Sequence, residues 1–286
     1  MAAGFAILAA ALFGLFTVAM RTALYWHRDP GLGAAAAGLI GLATSVVIAA
    51  AAGVTPGDAH PADLWRFVLV GVFVPGLSSI LFARAVRDAG PSRVAIVIGT
   101  APALSAFLAI TLLGEPLKVA LVIGTILIVS GGVVLALEQS RPHDFRLIGL
   151  GFAIACALLF ATRDNVVRVT ATHVHPDPLA AAVASLAGAA AVTTGIAHAR
   201  HQGRTLVTAL RWFFVAGVAL GGAYSALLVA LDRGKVTIVA PLNATQSLFA
   251  VVLALIILRR SEMIGPRLVL AAVLVVAGSV IIGLER

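Results

Sequence analysis

Residues 4–21 of this chain open with Gly-Phe-Ala-Ile, close on Arg21, and recur at 151–168. At this displacement of 147 residues, eight of the 18 positions are identical: Gly4/Gly151, Phe5/Phe152, Ala6/Ala153, Ile7/Ile154, Ala10/Ala157, Leu12/Leu159, Phe13/Phe160 and Arg21/Arg168. Apolar helices often coincide through composition alone. The same displacement, however, also carries Glu115 onto Glu262, Gly131 onto Gly278, Val133 onto Val280 and Glu138 onto Glu285. The chain therefore reads as two copies of one unit, 1–140 and 144–286, and a repeat fixes architecture before any local signal does.

Ten stretches contain no Asp, Glu, Lys or Arg and are mostly apolar: 1–20, 31–57, 67–83, 94–114, 119–137, 147–162, 178–197, 212–231, 236–258 and 268–284. A helix needs about 20 residues to cross the hydrocarbon core. Ten spans with short loops use nearly the whole chain and leave no room for a soluble domain. Only 11% of residues are charged, against about 25% in a soluble domain. The runs are too long for barrel strands and do not alternate as those do. With five spans per copy, an odd number, the second copy must cross the membrane in the opposite sense to the first. The expected fold class is all-α integral membrane, with ten transmembrane helices as two inverted-topology five-helix repeats around a central cavity. Several secondary transporter folds carry such an inversion. An enzyme or a passive anchor has no need of it.

The net charge of +8 would suggest nucleic acid in a soluble chain. Here the basic residues flank apolar runs, so the expected partner is the lipid bilayer, with no nucleic acid. The first run lacks a basic n-region and recurs in the second copy, so it reads as a retained span and not a signal peptide. Cys156 is the single cysteine, which excludes an internal disulfide. The small-residue pairs Ala37/Gly41, Ala184/Gly188 and Gly217/Gly221 are expected to let helix backbones approach closely. Pro75-Gly76, Pro102 and Pro241 lie inside spans, where each removes a helical hydrogen bond and favours a kink.

One pattern runs through both copies. It comprises Phe13-Gly14 and Arg21, Phe82-Ala83 and Arg93, Ala101-Pro102 and Leu113-Gly114-Glu115-Pro116, then Ala230-Leu231, Ala240-Pro241 and Glu262. This layout resembles the drug/metabolite transporter superfamily, in its EamA-like ten-helix branch, over essentially the whole chain. The chain departs from the pattern at Gln246, which stands where the first copy has Pro102. It departs again at Arg259-Arg260, within three extra residues, and at Phe13 and Phe160, where tryptophan is common. The resemblance implies a secondary transporter of the inner (cytoplasmic) membrane that moves a small polar metabolite, an amino acid or related compound, in the export direction. It also implies a cavity formed by the first, third, fourth, sixth, eighth and ninth helices.

Arg163-Asp164-Asn165 is the most polar cluster within an apolar span, and ionisable groups there are costly unless paired or hydrated. The first copy has Phe16, Thr17 and Val18 instead, so the duplication does not require the charge. In one reading, Asp164 pairs with Arg168 at i,i+4 and Arg163 snorkels to the interface. In the other, Asp164 is a proton or substrate-ammonium site and Arg163 contacts a carboxylate. Asn243 and Gln246 share a face of the ninth span, Thr100 lies near their counterpart in the fourth, and Ser78, Ser79 and Tyr224 are neighbours in the repeat. Each could instead be packing glue, worth roughly 0.6 kcal/mol per inter-helix bond. The candidate substrate-binding set is Thr17, Ser78, Ser79, Thr100, Arg163, Asp164, Asn165, Tyr224, Asn243 and Gln246.

Arg84, Arg87, Asp88 and Arg93 are expected to form an interfacial belt, and Glu115 and Glu262 to cap the helices that follow. His173, His175 and Asp177, or His198 and His201, have too few ligands for a metal site. No catalytic residue, metal or cofactor is expected. The expected partners are a small-molecule substrate and a coupling proton, in a monomer or weak homodimer. A lipid-handling accessory protein and a membrane-embedded enzyme are the alternatives. Of the Lys and Arg residues, thirteen fall on the face opposite the termini and six on the termini face, with Arg163 inside a span. The positive-inside rule therefore favours termini outside, whereas many members of the resembled family have both termini in the cytoplasm.

Overall fold

The computed structural model describes residues 2–55, 61–113, 119–137, 145–171, 177–200, 202–233, 239, 242–258 and 265–284. These are helical, with no strand among the described residues. The first copy contributes α1 (Ala2–Trp26), α2 (Pro30–Ala51), α3 (Leu64–Ala89), a broken α4 (Pro91–Ile98 and Ala101–Leu113) and α5 (Val119–Ala136). The second contributes α6 (Ile148–Ala171), α7 (Pro178–Ala199), α8 (Phe214–Arg233), α9 (Gln246–Ile257) and α10 (Pro266–Leu284). Of these, α1, α2, α3, α7 and α8 are long and apolar enough to cross a membrane, and α5, α6, α9 and α10 hold shorter apolar stretches.

The packing repeats under exchange of the copies. α1 packs on α8 and α9, and α6 packs on α3 and α4. α2 packs on α8, and α7 packs on α3. Two pairings, α2 with α7 and α5 with α10, join a helix to its own counterpart. Both are antiparallel. In the first, Gln202 Nε2 donates to Asp29 Oδ2 at 2.9 Å, and Gly38, nine residues beyond Asp29, lies against Ala190, twelve residues before Gln202. In the second, Gly124 meets Gly278 and Gly131 meets Ala271. A helix that runs antiparallel to its own duplicate is the inversion in its most direct form.

Small residues make these approaches. Gly41 in α2 sits between Gly217 and Gly221 of α8, and its repeat partner Gly188 in α7 presses on Val68 and Val72 of α3. Without a hydrophobic force between helices in lipid, such backbone contact is what holds them together. Both α2 and α7 open on Asp-Pro. Asp29 accepts from the Gly31 and Leu32 N–H groups, and Asp177 from those of Leu179 and Ala180. Proline at the first helical position gives up no hydrogen bond. The outward face of α5, with Val119, Ile123, Ile126, Val129 and Val133 exposed, is the surface that lipid would cover.

Two breaks shape the interior. α3 passes through a π-helical turn at Val72–Leu77, where Val74 leaves helical geometry beside Pro75. α4 breaks at Gly99–Thr100, just ahead of Pro102, which therefore begins a new helical segment instead of bending an old one. Pro241 lies outside the described residues. α3 and α4 are joined by Gly90 alone, at φ 86°, a conformation that disfavours any Cβ. Of the four residues expected in an interfacial belt, Arg93 and Asp88 are buried against protein. The one-residue turn tucks Arg93 into the first turn of α4, 2% exposed, with its guanidinium 5.9 Å from the Phe145 ring. Glu115, Glu262, His173, His175 and His201 lie outside the described residues, as does the side chain of Arg168.

Candidate functional site

A cavity opens where α1, α3, α4, α6, α8 and α9 meet. α1 supplies Phe13, Phe16 and Thr17, and the broken α3 supplies Pro75, Ser78, Ser79 and Phe82. α4 adds Ala95 and Ile98, and α6 adds Phe160 and Arg163. α8 contributes Leu220, Tyr224 and Leu227, and Asn243 and Gln246 come from the start of the ninth span. These are the six helices that the resemblance implied. The free volume is about 70 Å³, room for about five ordered waters at roughly 15 Å³ each.

Seven of the ten candidate residues surround this space: Thr17, Ser78, Ser79, Arg163, Tyr224, Asn243 and Gln246. Thr100 is not in the wall; its hydroxyl donates to the Val97 carbonyl at 2.7 Å, across the break in α4. The backbones of Asp164 and Asn165 continue α6, but their side chains lie outside the described residues. The aromatic part of the wall, Phe16 and Phe82 above all, was not in the candidate set. In sequence an apolar residue facing a cavity looks the same as one facing lipid.

Arg163 gives the site its charge. Its Nη1 donates to Tyr224 Oη at 3.2 Å, and its guanidinium carbon lies 5.5 Å from the Phe160 ring centroid. Tyr224 is held in turn by the edge of Phe13, with ring centroids 5.8 Å apart at 75°. Both contacts suit a cation in an apolar wall, since ring faces are electron-rich and a phenol oxygen accepts. No carboxylate stands among the described lining side chains. Thr17 donates to Phe13 O at 2.8 Å and Ser79 to Gly76 O at 2.7 Å. Those hydroxyl protons are spent on backbone, which leaves oxygen lone pairs for a guest. Asn243 Oδ1 is buried with no hydrogen-bond partner among the described residues.

The duplicated positions have diverged in use. Ser78 lines the cavity, whereas its counterpart Ser225 pairs with Ser45 at 2.9 Å in the buried contact between α8 and α2. Phe16, the counterpart of Arg163, stacks on Phe82 at 4.9 Å. One copy thus carries the cation and the other an aromatic plug.

A search of curated proteins finds no match. Among solved structures, one described as "Crystal structure of protein" is similar at 19% identity and TM-score 0.65, covering 97% of this chain and 95% of its own. That likeness concerns the fold alone. The model of the EamA-like transporter family matches residues 1–137 and again 147–284. The two matches fall on the two copies read from the repeat and together take in nearly the whole sequence. The chain belongs to the EamA-like transporter family and is a multi-pass membrane transporter of the drug/metabolite type.

Proposed function

We propose that this protein is a secondary transporter that exports a small polar metabolite, an amino acid or related carboxylate-bearing compound. It works by alternating access around the cavity between its two copies. The observation that carries this reading is Arg163 in the wall of the cavity, where its Nη1 donates to Tyr224 Oη and its guanidinium lies against the Phe160 ring. A guanidinium there favours an anionic group opposite, in a bidentate geometry that suits a carboxylate. Thr17, Ser78, Ser79, Asn243 and Gln246 serve the remaining polar atoms of the cargo. The unpartnered Asn243 Oδ1 offers an acceptor for a cargo N–H. Asp164, the next residue along α6 and the counterpart of Thr17, is assigned the coupling proton or the cargo ammonium.

The test is counterflow of labelled metabolites in proteoliposomes across a pH gradient. Carboxylate-bearing compounds should exchange in the wild type and fail in Arg163→Gln at normal folded yield. Equal exchange by both proteins would remove the carboxylate assignment, and no exchange of any compound would remove the cargo class itself. Asp164→Asn should impair transport without loss of folding. Unchanged rates at every pH would take Asp164 out of the mechanism.

A further inference from the structure

A second cavity, of about 460 Å³, lies where α1 and α3 end and α6 begins. Arg21, Arg28, Arg87 and Arg146 line it together with Asp88 and Tyr25. Its described side chains carry four positive charges and one negative, a net +3. The adjoining stretch 141–144 adds one arginine and one aspartate, hence no net charge.

The four arginines are not equally engaged. Arg87 grips Asp88 with two bonds, Nε to Oδ1 at 2.7 Å and Nη2 to Oδ2 at 3.2 Å, so these two cancel. Arg21 spends Nη1 on the Val86 and Arg87 carbonyls that end α3. Arg28 and Arg146 are exposed, and neither guanidinium donates a hydrogen bond to any described residue. Asp88 is taken up by Arg87, and Asp29 stands beside Arg28 and Arg87 at the rim, a second negative charge. Four arginines against two aspartates still leave an excess of two positive charges, and an anion between the arginines would reduce their repulsion.

The vestibule is separate from the central site. Along α1, Phe13 and Thr17 face the central cavity, and Arg21, Leu24 and Tyr25 line the vestibule, with Arg28 just beyond the helix end. From Thr17 to Tyr25 is about 12 Å at the helical rise. The Phe16–Phe82 stack lines the central cavity and not the vestibule, and belongs to the same buried cluster as Met20 and Val86. Exposed aromatic residues flank the vestibule. Tyr25 in its wall is 69% exposed and Trp26 66%, and Trp26 stacks on Trp212 at 5.9 Å. Such aromatic belts mark the membrane–water interface.

We propose that this vestibule is a phosphate-binding site. Guanidinium forks match phosphate oxygens in pairs. The flanking aromatic residues suit a place beside the phosphates of anionic lipid, and the site's exposure also admits a soluble phosphate. It rests on neither the cargo nor the mechanism proposed above.

The test uses the full-length protein in a non-ionic detergent. Native mass spectrometry measures binding of phosphatidylglycerol, and equilibrium dialysis measures binding of radiolabelled inorganic phosphate. Arg28→Gln/Arg146→Gln should weaken binding roughly 30-fold, as two interfacial arginines would. The single variants should each show part of the loss. Arg66→Gln, which removes a cation placed over Trp65 on the opposite face, should change nothing. A loss confined to phosphatidylglycerol names a lipid headgroup as the occupant, and a loss for phosphate as well names a soluble one. The proposal is overturned if the wild type binds neither probe, if the double variant binds both as the wild type does, or if Arg66→Gln loses as much.

Discussion

Gly278 lies against Gly124 where α10 crosses α5, and Gly131 lies against Ala271 further along the same crossing. The two contacts are copies of one another, because the repeat carries 131 onto 278 and 124 onto 271. A Cβ on Gly278 would fall 2.5 Å from the Gly124 carbonyl oxygen, and one on Gly131 would fall 2.9 Å from that of Ala271. Gly278→Val and Gly131→Val should therefore both destabilise, by about 1–3 kcal/mol as overpacking does. Gly132→Ala, where nothing stands within 4 Å, should be neutral. Thermal unfolding in detergent checks all three, and a neutral Gly278→Val would contradict the packing.

Tyr224→Phe removes the oxygen that accepts from Arg163 and keeps the ring against Phe13. A hydrogen bond to a charged group contributes about 1.5–3 kcal/mol. Cargo affinity should fall by roughly tenfold or more, with the folded yield little changed. Counterflow measured over a range of cargo concentrations reads this directly. An unaltered half-saturation point would mean that Tyr224 does not position Arg163 for cargo.

The paired serines give a control within one molecule. Ser225→Ala breaks the buried bond to Ser45 and should cost roughly 0.6 kcal/mol of stability while leaving transport intact. Ser78→Ala, at the matching position of the other copy, should reduce transport with little change in stability. If both behave alike, the divergence between the copies is not functional.

The stacked rings of Phe16 and Phe82 stand in the wall of the central cavity, and neither lines the arginine vestibule. Cys156 belongs to the same buried cluster and is 0% exposed. It should resist a water-soluble maleimide in the wild type. Phe82→Ala should open a path from the vestibule and raise the labelling rate severalfold, read by mass spectrometry. Equal labelling in both proteins would mean that the stack is not the barrier.

The fold was legible because the repeat and the count of apolar runs are properties of the whole chain. Thr17, Ser78, Ser79, Arg163, Tyr224, Asn243 and Gln246 could be singled out because a polar group within an apolar span is rare and needs a reason. Thr100 looked the same in sequence, yet its hydroxyl is turned onto Val97 by a helix break placed at Gly99 and not at Pro102. Phe16 and Phe82 gave no signal, since nothing in a run of apolar residues says which faces a void. The burial of Arg93 could not be read from sequence for a similar reason: it follows from the single-residue turn at Gly90, which sets it in the first turn of α4.

The self-paired contacts carry one more consequence. Exchanging the conformations of the two copies turns the α2–α7 and α5–α10 contacts into themselves, while α1–α8 and α3–α6 trade places. A cycle built on that exchange can keep the first two unbroken throughout. In such a cycle they would form a fixed chassis for the other six helices, so damage to them should change how much protein accumulates and leave the speed of each surviving molecule alone.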